Sequence, residues 1–203
     1  MMKLLRTLVL AAAALVLAGN VSAAMIAATV SGPPEASDGD SNGWRFKALA
    51  DISVAELGVW NDGAALPSAV DVGLWSDVGT LLGTVVVGAG TSGRAEGGFW
   101  FESLSSTVDL MAGQFYRVAA KPQSGSLPWV AFGGSQSFAA EIEYDNGYYG
   151  SGGGLGFPTF PGGSGRGIFG ANFTFEHTVP VPEPGTLALL GLAGLAATRR
   201  RKH

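Results

Sequence analysis

The chain has 203 residues, a net charge of −4, 47% hydrophobic residues and 14% charged residues. That hydrophobic share supports a packed core, and length fits one domain with processing segments. Global disorder is excluded, because it needs high charge and few apolar residues. Cysteine is absent, which excludes disulfide frameworks, thiolate metal sites and cysteine nucleophiles. The 32 Gly and 10 Pro disfavour a long helical bundle and suit short strands joined by turns.

Residues 1–23 read as a secretory signal helix. Lys3 and Arg6 form a positive n-region. Leu8 to Leu17 is a ten-residue apolar run, too short to span a hydrocarbon core of about 30 Å. Val21-Ser22-Ala23 places small or compact residues at a cleavage site, with the cut expected after Ala23.

Period-2 alternation dominates the middle region, 24–178, and marks half-buried strands. It runs through Trp44-Arg45-Phe46-Lys47-Ala48, Val70 to Trp75, Ala140 to Tyr144 and Ala171 to Glu176. Leu81 to Val87, Phe99 to Phe101 and Gln114 to Ala120 complete the set. Asn61-Asp62-Gly63, Ser76 to Gly79 and Gly88 to Gly93 supply turn residues between them. Glu56 to Asp62 echoes Asp71 to Asp77, which reads as two neighbouring strands with similar turns rather than a repeat array. The fold class expected is all-β, an antiparallel β-sandwich or jelly roll. Asp145 to Gly167 is Gly-rich and reads as a surface loop that Tyr148, Tyr149, Phe157 and Phe160 can pin.

Between residues 24 and 181 there are six basic and fifteen acidic side chains, a charge near −9. That balance argues against nucleic acid and anionic lipid surfaces as partners.

Residues 179–203 carry the most specific pattern. Pro182-Glu183-Pro184 precedes an apolar run, Leu187 to Ala197, and then Arg199-Arg200-Arg201-Lys202-His203. A helix over 186–198 would be about 20 Å long, short for a permanent span and suited to transient membrane insertion. The basic cluster belongs on the cytoplasmic side. The two prolines hold the motif extended, so little entropy is lost when a protease cleft takes it. This tail resembles the PEP-CTERM sorting signal. The resemblance implies an exosortase-type transpeptidase as partner, removal of the hydrophobic tail, and an association with exopolysaccharide and biofilm matrix.

The middle region also resembles an uncharacterised β-sandwich family of bacterial surface proteins. Gly43-Trp44-Arg45-Phe46, Val72 to Ser76 with Gly79 to Leu82, and Gly113-Gln114-Phe115-Tyr116 carry the likeness. It spans about 30 to 178 and implies no activity.

Three constellations bear on chemistry. Asp38, Asp40, Asn42 and Gly43 have the spacing of the first half of a calcium loop. Leu49 stands where a bidentate Glu belongs, so a polar turn before the first strand is the plainer reading; no cofactor is expected and calcium is left to test. Trp60, Trp75 and Trp100 fall on the phase opposite their apolar neighbours, where exposed rings would stack on sugars. Coverage of both sheet faces, or burial by loops, is the competing account. Glu141 and Glu143 share a strand face that points to solvent, and His177 reads as a structural imidazole, so no catalytic residue and no enzyme are expected. The resulting expectation is an exported surface or matrix protein with a structural or adhesive role. The alternative is a carbohydrate-binding module assisted by calcium.

Overall fold

The computed structural model describes residues 24–37, 40–130, 134–162 and 167–178. The signal segment and the tail from 179 onward lie outside the described residues, as do the helices expected there. Among the described residues there is no helix, and hence none long and apolar enough to cross a membrane.

The strands in chain order are β1 (Met25–Ile26), β2 (Ala28–Ser31), β3 (Pro34–Ser37), β4 (Ser41–Ala48), β5 (Ile52–Trp60), β6 (Val70–Ser76), β7 (Leu81–Val87) and β8 (Arg94–Glu96). They continue as β9 (Phe99–Leu110), β10 (Phe115–Pro122), β11 (Leu127–Val130), β12 (Ser135–Phe138), β13 (Ile142–Gly150), β14 (Phe160–Pro161) and β15 (Ala171–His177). One sheet has the order β1-β15-β5-β9-β8 and the other β14-β13-β4-β10-β6-β7. Two small ribbons, β11-β3 and β12-β2, flank them. All the pairings are antiparallel. The fold is therefore all-β, with two curled sheets facing one another in a sandwich-like arrangement.

Alternation explains the shared core. Trp44, Phe46 and Ala48 of β4 are fully buried, as are Val72 and Leu74 of β6 and Val118 and Ala120 of β10. They meet Phe173 and Phe175 of β15 and Leu57 and Val59 of β5. Trp44 sits at the centre. Its ring stacks on Phe173 at 5.9 Å and 18°, and it lies 5.1 Å from Phe46. Its indole N–H donates to the Ala171 carbonyl at 2.7 Å, so the large ring brings no unpaired polar atom inside.

Asp62 (φ 49°) and Gly63 (φ 73°) take the left-handed conformation that the Asn-Asp-Gly turn foreshadows. Gly43 is required for a different reason. A Cβ there would stand 1.8 Å from the Val118 carbonyl oxygen, inside the adjacent strand.

Several details depart from the sequence reading. The first strand is β1, not the segment at 44–48, because 25–37 forms three short strands. The echoing segments at 56–62 and 71–77 belong to β5 and β6, which lie in opposite sheets and are not hydrogen-bonded neighbours. Asp145 to Gly150 belongs to β13, and β14 folds back to pair Tyr149 with Phe160, so the Gly-rich segment is partly strand.

Removing the central ring should open a cavity that the surrounding sheets cannot fill. Trp44→Ala should cost about 3–5 kcal/mol in urea unfolding. Val78→Ser, at an 89% exposed position, should stay within about 0.5 kcal/mol of the parent protein.

Candidate functional site

Both flanking segments attach at one end of the sandwich. β15 is the last described strand, yet it lies between β5 and β1, inside its sheet. Met25 pairs with Phe175 and Ile26 with Thr174, antiparallel. The chain therefore enters β1 beside the point where it leaves β15. At this exit pole His177 pairs with Ile52, and Ile52 with Leu110. The other sheet ends there too, with Ala48 paired to Ile142 and Lys47 to Phe115.

Asp51 fastens the pole. Its carboxylate accepts the Ala112 N–H at 2.7 Å, and its carbonyl accepts the Thr178 N–H at 3.3 Å. The β4–β5 turn and the β9–β10 turn are also joined by Gly113 N–H to the Ala48 carbonyl, 2.7 Å. His177 Nε2 faces the Glu141 carboxylate at 3.1 Å. Glu141 is thus drawn against the last strand rather than pointing to solvent with the exposed Glu143.

Asn172 ties the entering chain down along β15. It is fully buried. Its side-chain oxygen accepts the Ala28 N–H at 3.2 Å, and its amide donates to the Ala28 carbonyl at 2.6 Å. One side chain thereby imitates a strand partner.

A second cluster occupies the outer face of the six-stranded sheet. Arg45 of β4 and Arg117 of β10 are direct cross-strand partners. Like charges placed so are destabilising unless compensated. Asp77, just after β6, accepts from Arg45 Nε at 2.8 Å and Nη2 at 2.7 Å. It also accepts from Arg117 at 3.4 Å. Asp145 takes the remaining Arg45 nitrogen at 2.9 Å. The guanidinium of Arg45 lies 3.8 Å from the centre of the Phe115 ring. That of Arg117 lies between Tyr148 (4.0 Å) and Phe157 (4.5 Å). Arg117 also donates to the Pro158 carbonyl. The Gly-rich loop is thus held onto the sheet, and Phe157 meets the edge of Trp75.

The hydrogen bonds from Arg45 hold the Asp77 carboxyl below its ordinary range, against the opposing effect of burial. Arg94 does the same to Glu56 on the other sheet, with help from Thr174. Burial, followed by the charge of Asp145, pushes the Tyr144 phenol up. These groups form compensated ion pairs and packed rings.

Ala23, Asp38, Pro182, Glu183 and Pro184 lie outside the described residues. Asn42 sits in β4, 8% exposed. Its amide donates to the Asp40 carbonyl at 3.3 Å. Among the described residues no group of three or more His, Cys, Asp or Glu is placed to hold a metal ion.

The sugar-stacking expectation for the tryptophans needs correction. Trp60, Trp75 and Trp100 are 1%, 4% and 8% exposed. Trp60 pairs with Phe99 and Trp100 with Val59, both buried. The 61–66 loop packs on Trp100, whose N–H donates to the Ala64 carbonyl at 2.8 Å. Trp75 lies over Gly73 and beneath Phe157. Trp60 and Trp100 belong to the hydrophobic core and Trp75 is covered by Phe157, so no ring face is offered to a ligand.

Sequence reasoning missed Asp51, Asp77 and Asn172. Each acts through a partner more than 30 residues away, and local spacing carries no trace of such pairs.

A family model described as Domain of unknown function (DUF4082) matches residues 30–164. A second, the PEP-CTERM protein-sorting motif, matches residues 180–202. No curated protein matches the chain. The family match stops short of β15 and begins after β1, so the strands that join the two ends lie outside it. The sorting motif implies export, exosortase-dependent processing and sorting to the cell surface.

A carboxylate held below its ordinary range in the folded state stabilises the fold at neutral pH. That contribution is lost as pH falls through the lowered value. Stability should be flat between about pH 5 and 7 and fall below about pH 4. Asp77→Asn should weaken the protein at pH 7 by about 1–2 kcal/mol and make the acid limb of a urea-midpoint profile shallower.

Proposed function

The chain belongs to the DUF4082 family and carries a PEP-CTERM sorting motif, and on that premise we propose a structural or adhesive protein of the bacterial surface or extracellular matrix. After export it loses the signal segment and the hydrophobic tail. The folded domain then remains attached to, or embedded in, exopolysaccharide. We read the domain as a non-enzymatic module. The single observation that carries the sorting part is the match of the motif over residues 180–202. The exit pole supports it, since signal and motif join the domain side by side and both can face one membrane.

The adhesive part rests on the character of the domain. The surface side chains described above are compensated ion pairs, and the large aromatic rings are mostly buried. Such a module suits display in a matrix, where it must persist outside the cell without disulfides.

Surface extraction from the native host should yield a protein whose intact mass lacks residues 1–23 and the apolar tail. Replacing Pro182, Glu183 and Pro184 together by Ala should leave the unprocessed chain in the inner membrane, with the melting temperature of the domain unchanged. Recovery of the Ala variant in the processed surface form would refute the sorting role of the motif. Co-sedimentation with the host's own exopolysaccharide tests the matrix role. Equal amounts in the pellet with and without polysaccharide would remove it.

A further inference from the structure

The sorting motif starts close to a folded surface. Pro182 is four residues beyond Thr178, whose backbone is fixed to Asp51. Four residues span at most about 14 Å when fully extended. An enzyme that grips Pro182-Glu183-Pro184 therefore meets the exit pole of the domain. This argument rests on the sorting reading and adds a second recognition surface to it.

The pole carries two exposed apolar side chains. Leu49, in the β4–β5 turn, is 49% exposed, and Met111, in the β9–β10 turn, is 59% exposed. The two turns are bonded directly, through Gly113 to Ala48 and through Ala112 to Asp51. The two apolar tips thus stand on neighbouring turns beside the outgoing chain. The same pole carries the carboxylates of Asp51, Asp109, Glu141 and Glu176, which outnumber its basic groups, Lys47 and His177. Apolar tips in an acidic rim are poorly suited to an anionic lipid surface and well suited to a protein surface with an apolar recess and basic rim. Glu183 adds a further negative charge to the same partner-facing segment.

We propose that Leu49 and Met111 form a docking surface for the outward-facing side of the sorting transpeptidase, used together with the Pro-Glu-Pro motif. The domain is then a part of the recognised substrate. The two contacts are linked by a short spacer, so the second forms at high effective concentration once the first is made.

The test is a pulse-chase measurement of tail removal in the native host, using the full-length chain. Leu49→Ser/Met111→Ser should slow processing about three- to ten-fold with an unchanged melting temperature of the purified protein. Inserting twelve Gly/Ser residues between Thr178 and Val179 should slow it similarly. Adding the double substitution to the long-spacer chain should then have little further effect. Normal processing of the double variant in the native-spacer chain would overturn the proposal. Normal processing combined with weaker binding of the mature protein to host-lipid vesicles would assign the pole to lipid and overturn it equally. A parent chain that is never processed would instead sink the sorting reading itself. Single Leu49→Ser and Met111→Ser variants, each with a smaller slowing, guard against a folding defect in the double one.

Discussion

The placement of β15 is the constraint on which the other features depend. The last strand of the domain enters its sheet between β5, made early, and β1, made first. Until it arrives, β1 has no partner, Asn172 cannot hold Ala28, and Trp44 lacks both Phe173 and the Ala171 carbonyl. The core therefore closes only when residues near 177 are available. Contacts of such long sequence separation are slow to form. That order suits an exported chain. Once β15 docks, the same geometry sets the last described strand beside the first.

The outer faces follow a different rule. A sheet face that is not packed against its partner sheet still needs either water or a cover. Here covers are built from loops and ion pairs. Arg45 and Arg117 stand opposite one another, which is unfavourable alone, and Asp77 makes them a compensated group. The flat faces of both guanidinium groups then receive aromatic rings. This is how a segment so rich in glycine keeps a defined path over Trp75. On the other sheet Arg94 and Glu56 make a similar pair, with Thr174 as a third member.

Much of the sheet scaffold was legible in the sequence. Strict alternation at Trp44 to Ala48, Val70 to Trp75 and Ala171 to Glu176 marks strands that have one face in the core, which is the case alternation encodes. Leu81 to Val87 was legible as an apolar run interrupted by Gly83, and Gln114 to Ala120 completed the set. The short strands at 25–37 and 127–138 were not. They are two to four residues long and are defined by distant partners, so no local period exists to read. The tryptophans failed for a related reason. Phase says which face a residue is on and not whether that face is packed, and Trp60 and Trp100 lie in the core while Phe157 covers Trp75. Gly-rich composition at 145–167 concealed strand residues because β13 is held by backbone pairing with β4, to which glycine contributes as well as any residue. The sorting motif, by contrast, is a linear signal, and its residues could be named from the sequence alone.

The sorting motif implies processing of the outgoing end, and a protein cut there must keep its fold. Pairing the first and last strands meets that need, since it holds the two described ends of the domain together. The joining of the two ends depends most directly on that pairing, and the absence of native cysteine allows a clean test. Extending the register of Met25 with Phe175 places Ala24 opposite Glu176, where antiparallel partners have Cα atoms about 4.5–5.5 Å apart, within disulfide reach. In the purified folded protein, the pair Ala24→Cys and Glu176→Cys should close to an intramolecular disulfide on mild oxidation, detected as a two-dalton mass loss and a bridged peptide. Two free thiols in the folded, oxidised protein would place the ends apart and contradict the account.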